Sequence, residues 1–121
     1  MEWGVEYTDE FEVWWSSLTE DEQEDVDASV RLLQRFGPNL SRPHSDTVKG
    51  SRHSHMKELR IQHKGRPYRV LYAFDPRRHA ILLLGGEKTG DDQWYERMIP
   101  IADRLFDEHL SALRQEEKTD G

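Results

Sequence analysis

Residues 56–90, MKELRIQHKGRPYRVLYAFDPRRHAILLLGGEKTG, hold three runs of strand-forming residues separated by two turn signals. The first two runs, Met56 to Gln62 and Pro67 to Asp75, flank HKGR (63–66), in which Gly65 supplies the turn. Reading HKGR as a four-residue loop pairs Gln62 with Pro67 and sets Arg60 directly across from Arg69, with both side chains on one face. The opposite face then collects Leu59, Ile61, Tyr68, Val70, Tyr72 and Phe74. One side of the hairpin is therefore apolar, and the other carries paired guanidinium groups. Asp75-Pro76-Arg77-Arg78 makes the next turn, and AILLLGG from Ala80 reads as a more deeply buried third strand.

Upstream, Trp3 to Tyr7 alternates apolar and polar positions as a short half-buried strand does. Asp9 with Glu12 resembles a helix capping box and Thr19 with Glu22 is a better one, so two helices are expected to begin there. Val26, Val30 and Leu33 share one face of the second helix, Glu20, Asp21 and Glu22 suit the positive end of its dipole, and Gly37-Pro38 ends it. Residues 38–54, rich in Pro, Ser, His and Gly, read as one long loop, a length that inside a small domain usually means function or mobility. Downstream, a last helical region is expected from Asp91 or Asp92, with Ile101, Leu105, Phe106, Leu110 and Leu113 on one face and Pro100 kinking or restarting it. The order of strand, helix, helix, three strands and a final helix gives an α+β class, with one domain over 1–113 and a frayed tail over 114–121.

A chain of 121 residues has room for one core. No run of 18 apolar residues is present, and the N-terminal residues lack the basic start and apolar middle of a secretion signal, so a soluble, cytoplasmic protein is expected. The absence of cysteine excludes disulfides, thiolate catalysis and thiolate zinc sites. The net charge of −7 is unevenly spread: residues 1–30 carry eleven acids and no Lys or Arg, residues 31–90 carry thirteen Lys or Arg against four acids, and residues 91–121 carry nine acids against four bases. A polyanion meets the local field, here a basic middle block that also holds five of the six histidines. The bland alternative is a basic sheet neutralised by acidic helices.

Two arginines directly opposite on a sheet oppose folding unless an anion sits between them. Glu58, on the same face as Arg60, could be that anion within the protein, and a phosphate gripped from outside is the functional version. The catalytic reading requires the pair to stand without an acid of its own. Lys88, in a loop after a buried strand and before a helix, adds a cation, although GGEKTG (85–90) lacks P-loop spacing and ATP binding is set aside. Trp94 and Tyr95 offer a stacking surface or a phenol proton donor, with one of them expected in the core. His53 and His55 could point the same way as metal ligands, but with no assured third ligand no metal site is expected, and His44 with Asp46 reads as loop chemistry.

Residues 56–90 also resemble the RelE/ParE toxin superfamily, in particular its phage-derived HigB-like branch, in which a strand ending Leu-Arg-Ile is followed by a turn, Tyr-Arg-Val-Leu-Tyr and an apolar strand running into a Gly and Lys loop. The likeness in element order covers roughly residues 3 to 110. It implies a small twisted antiparallel sheet with the two N-terminal helices on one face and an active face on the other. It also implies a type II toxin acting as a metal-independent, ribosome-dependent endoribonuclease on mRNA, with no cofactor, and a cognate antitoxin of helix-turn-helix, HigA-like type. Arg69 matches the family's arginine in Tyr-Arg-Val-Leu-Tyr and is expected to clamp phosphate, with Arg60 as its partner, Lys88 as a further cation and Tyr95 as the acid. Lys57, His55, Arg66 and Trp94 are expected to contact RNA. Where one branch carries lysines this chain has Met56 and Glu58, which leaves Glu58, His55 or His44 to take the proton. Two other readings stay open, a non-enzymatic ParE-like inhibitor of DNA gyrase and a regulatory module whose basic face meets an acidic protein.

Overall fold

A computed structural model describes the backbone of residues 2–120 and the side chains of residues 2–118. The hairpin forms as strands β3 (Lys57–His63) and β4 (Arg66–Phe74), with Gln62 opposite Pro67 and Arg60 opposite Arg69. The register is the expected one, but the loop is shorter: His63 pairs with Arg66, leaving a two-residue turn in which Lys64 and Gly65 both have positive φ, 50° and 77°. That backbone twist matches the twist of the strands it joins. Strand β5 (Ala80–Glu87) pairs antiparallel with β4, and β1 (Val5–Tyr7) pairs parallel with the outer edge of β5.

A fifth strand, β2 (Ser45–Thr47), lies against β3 inside the segment expected to be a long loop. Its polar sequence, SDT, carries no apolar alternation by which it could have been found. The order across the mostly antiparallel sheet is β1-β5-β4-β3-β2.

Helix α1 (Asp9–Ser17) is capped by Thr8, whose side chain accepts from the Phe11 N–H, so the helix starts one residue before the Asp9 box would have it. Helix α2 (Glu20–Phe36) has the full Thr19 and Glu22 box, with bonds of 2.9 and 3.2 Å, and Gly37 at φ 56° ends it. Both helices pack on one face of the sheet over Phe11, Val26, Leu33, Leu59, Ile61, Tyr68, Val70 and Tyr72.

The single-core expectation is corrected on the other face. Helix α3 (Trp94–Asp120) buries Ile99, Ala102, Leu105 and Phe106 against Met56, Leu71, Ala73, Ile81 and Leu83. Ile101, expected on the buried stripe, is 37% exposed; Ile99 and Ala102 take its place. The helix starts two or three residues later than expected and runs without interruption through Pro100, whose missing N–H leaves the Glu96 carbonyl without its i→i−4 donor. It continues through the segment expected to be a tail, where the side chains of residues 114–118 are exposed.

Helix α3 is pinned by buried carboxylates. Asp103 accepts from the Ser51 hydroxyl (2.5 Å) and the Arg52 N–H (3.0 Å), and His109 Nε2 lies 2.8 Å from Asp75 Oδ2.

Two glycines let an aromatic ring lie on each face of β5. A Cβ on Gly85 would fall inside the Trp14 indole, and one on Gly86 would come within 2.7 Å of Trp94 Nε1.

On the α1 and α2 face, Glu22 joins cap and sheet. It accepts from the Thr19 N–H and from the Tyr68 hydroxyl, and these bonds hold its carboxyl down to about 2, against the opposing effect of burial. A group whose folded value is depressed contributes stability above its unfolded value near 4.5 that is lost as pH falls towards 2. Glu22→Ala is therefore expected to cost about 1–3 kcal/mol at pH 7 and to flatten the loss of stability between pH 4.5 and 2, as read by urea melts across that range.

Candidate active site

The β3 and β4 register places Glu58, Arg60 and Arg69 on the sheet face that α3 only partly covers, because alternate residues of a strand share a face. Arg69 pairs with Gly86 on β5, and beyond it the Lys88 N–H continues the ladder to the Pro67 carbonyl at 3.0 Å, which brings Lys88 to the same face. The first turn of α3 supplies Tyr95. All five residues expected to do chemistry, Arg69, Arg60, Lys88, Glu58 and Tyr95, are thus brought together from two strands, the loop after β5 and a helix.

The requirement that the arginines lack an acid of their own is not met. Glu58 Oε2 accepts from Arg60 Nη1 at 3.2 Å, and Glu58 Oε1 lies 3.3 Å from Arg69 Nε. The single carboxylate relieves the repulsion that two opposed guanidinium groups would otherwise impose. Arg69 is buried, with 5% of its side chain exposed; it also donates from Nη1 to the Tyr68 carbonyl (3.0 Å) and from Nε to the Tyr95 hydroxyl (3.3 Å). Arg60 remains 35% exposed and forms the accessible side of the pair.

Tyr95 donates its hydroxyl proton to Glu58 Oε1 at 2.6 Å. Burial first, and then this bond, raises its phenol above the ordinary value, with Arg69 opposing. The phenol therefore holds its proton at neutral pH, and the shift makes it a weaker acid than a free tyrosine while Glu58 occupies its hydroxyl. Lys88 Nζ stands 5.6 Å from the centre of the Tyr95 ring, within cation–π range.

Two charged residues that the sequence reading left as loop chemistry or did not single out belong to this face. Asp46 on β2 pairs with Glu58 and holds the exposed Arg42 through bonds of 2.9 and 2.5 Å. His44 stands beside Arg60, whose N–H donates to the His44 carbonyl at 2.9 Å. Strand β2 places Asp46 and Asp46 holds Arg42, so no apolar alternation in the sequence could have put them on this face. Counting Arg42, Arg60, Arg69 and Lys88 against Asp46 and Glu58, the face carries a net +2 within an acidic chain.

The expected RNA contacts do not gather there. Lys57 lies on the α1 and α2 face, its Nζ 3.5 Å from the Pro38 carbonyl. Arg66 sits over the Tyr68 ring and pairs with Glu87 at 2.6 Å. A shift of one or three positions from Arg60 or Arg69 reverses the side on which a strand residue points. Trp94 is 2% exposed and packs on Gly86, so it forms part of the wall behind Arg69 and offers no stacking surface. His55 is exposed in the loop before β3, while His53 bonds to Asp107 at 2.8 Å and packs edge-on against Phe106. Among the described residues no three His, Asp or Glu side chains converge to hold a metal, and no helix is long and apolar enough to cross a membrane.

Comparison with known proteins follows the same lines. A family model described as phage-derived protein Gp49-like matches residues 13–107. A candidate toxin of Mycobacterium tuberculosis, HigB2, is 47% identical over 100 residues, covering 81% of this chain and 50% of that protein. The chain thus spans half the length of that relative. A second candidate toxin from the same organism, HigB3, is 44% identical over 102 residues, covering 84% of this chain and 88% of the relative. Among solved structures, a mutant of the E. coli toxin RelE in the free state superposes with a TM-score of 0.56 at 12% identity, over 79% of this chain and 94% of the other, a likeness of fold.

Proposed function

The chain belongs to the phage-derived Gp49-like family, and from that premise we propose that it is a HigB-like toxin of the RelE/ParE superfamily, the toxin of a type II toxin-antitoxin pair that cleaves messenger RNA on the ribosome. The observation that carries the chemistry is the convergence of Arg60, Arg69, Lys88 and Tyr95 on the sheet face that α3 only partly covers, with Arg60 accessible and Arg69 buried behind it. In such a cleavage the ribose 2′-oxygen attacks the adjacent phosphorus, the bond to the 5′-oxygen breaks, and the products are a cyclic phosphate and a 5′-hydroxyl. Arg69 and Arg60 stabilise the extra charge on the phosphorane, Lys88 reinforces that field, and Tyr95 delivers a proton to the departing oxygen. Glu58 and His44, both beside Arg60, have the chemistry to take the 2′ proton.

The antitoxin we propose is a small helix-turn-helix protein of HigA-like type. A cleft of 510 Å³ between α1, α2 and β1, lined by Tyr7, Phe11, Trp15 and Val30 together with Glu12 and Asp27, suits a partner segment that combines apolar and cationic side chains. The cleft lies on the face away from Arg60, so its occupation leaves the arginines uncovered.

Induced expression followed by mapping of transcript ends tests the proposal. New 5′-hydroxyl ends should accumulate within translated regions. Tyr95→Phe, which keeps the ring and the Lys88 contact, should reduce their rate of appearance by about 100-fold. Intact transcripts in growth-arrested cells would remove the nuclease and favour a toxin that acts by contact.

A further inference from the structure

Glu58 lies between the two guanidinium groups of the opposed pair. Its two oxygens face two guanidinium groups, as the two non-bridging oxygens of a phosphodiester would, and it carries the same single charge. Its hold on them is loose. The contacts to Arg60 and Arg69, 3.2 and 3.3 Å, are longer than the 2.7–2.9 Å common for charge-assisted bonds. Other arginines are held closer, Arg42 before β2 on Asp46 at 2.5 Å and Arg66 on Glu87 at 2.6 Å. Neither Arg60 nor Arg69 meets Glu58 in the two-bond fork that an arginine and a carboxylate form when nothing else constrains them. The closest bond Glu58 makes is the one it accepts from Tyr95, 2.6 Å, which engages the proton that the proposed reaction needs.

We propose that Glu58 is a place-holder anion: it keeps the buried Arg69 and the exposed Arg60 in position in the free protein and is displaced from between them by an incoming phosphate. The inference rests on the nuclease reading and adds a regulation to it. One exchange does two things, since a carboxylate that leaves the arginines also releases the Tyr95 hydroxyl to donate elsewhere. A free protein therefore holds its acid and its clamp satisfied by the same group, and only an anion able to bridge both arginines frees them. In the free protein Glu58 acts by positioning the two arginines, and loss of its charge strengthens anion binding.

The test compares the parent with Glu58→Gln, which keeps an oxygen to accept from Tyr95 and loses the charge. Two probes are used, inorganic phosphate and a 2′-O-methyl oligonucleotide that cannot be cleaved. Glu58→Gln should bind both about tenfold or more tightly than the parent at low salt. In the parent, saturating phosphate should shift the Arg60 and Arg69 Nε–H resonances together with that of the Tyr95 ring, a measurement that stands even if the variant folds poorly. Equal or weaker binding by Glu58→Gln, or phosphate binding that leaves the Arg69 resonance in place, overturns the place-holder. Tighter phosphate binding with no oligonucleotide binding would keep the place-holder and remove the RNA reading; cleavage of RNA by the parent with no gain in the variant would do the reverse.

Discussion

Arg69→Lys is expected to lower RNA cleavage by about 100- to 1,000-fold, the usual cost of losing a donor aimed at developing charge, while leaving the protein folded. Lysine keeps the positive charge opposite Glu58 but has neither the Nε–H that reaches Tyr95 nor the second nitrogen that donates to the Tyr68 carbonyl. Single-turnover cleavage of a defined transcript measures the loss, and thermal unfolding measures the fold. Arg69→Ala should be equally inactive and also less stable by about 3 kcal/mol, because Glu58 and Tyr95 would keep their burial without the cation that faces them. An Arg69→Lys protein that cleaves at the parental rate would remove the arginine pair from the chemistry. Binding of a partner in the cleft between α1 and α2 should survive either change, since that cleft is on the opposite face.

Gly85→Ala is expected to be the most destabilising small substitution in the sheet, by about 3 kcal/mol, although it adds one methyl group. That methyl would stand inside the Trp14 ring, and Trp14 is itself held against Phe11 and Tyr68 at centroid distances of 5.7 and 6.4 Å. The double change Gly85→Ala with Trp14→Leu should recover part of the loss by making room, a coupling that a double-mutant cycle in urea would read. Gly86→Ala meets Trp94 on the other face and so pushes against the wall behind Arg69. It should reduce cleavage as well as stability. If Gly85→Ala melts within about 0.5 kcal/mol of the parent, an amount typical of surface changes, the indole does not rest on that glycine.

The hairpin was legible because two signals agreed: the apolar alternation through Leu59, Ile61, Tyr68 and Val70, and the glycine at 65. Agreement between them fixed the opposition of Arg60 and Arg69 even though the loop length was wrong by two residues, since a symmetric shortening leaves the register unchanged. Strand β2 was not legible, because SDT owes its strand character to the bonds it makes with β3 and to no preference of its own. Of the stripe expected on α3, Leu105, Phe106 and Leu110 pack inward and Ile101 does not, for a similar reason. Both Ile99 and Ile101 are apolar, and which of them turns inward depends on where the helix starts and on Asp103 and His109 being drawn to Ser51 and Asp75. Of the site, residue types and face were readable. What the pattern left open was whether Glu58 or an outside anion stands between the arginines, because a strand pattern gives direction and not the reach of a flexible side chain.

The two shortest strands, β1 and β2 with three residues each, form the two borders of the sheet, and the long strands β3 to β5 lie between them. A growing fibril needs a long, flat, unoccupied border on which to add another chain, and here each border offers only a short ledge that carries a carboxylate, Glu6 on β1 and Asp46 on β2. The apolar strands AILLLGG and YRVLYAF, which would be hazardous as free margins, are thereby sealed in the interior. Lengthening β2 with valine or isoleucine would be the direct way to turn this monomer-sized sheet into a self-seeding one.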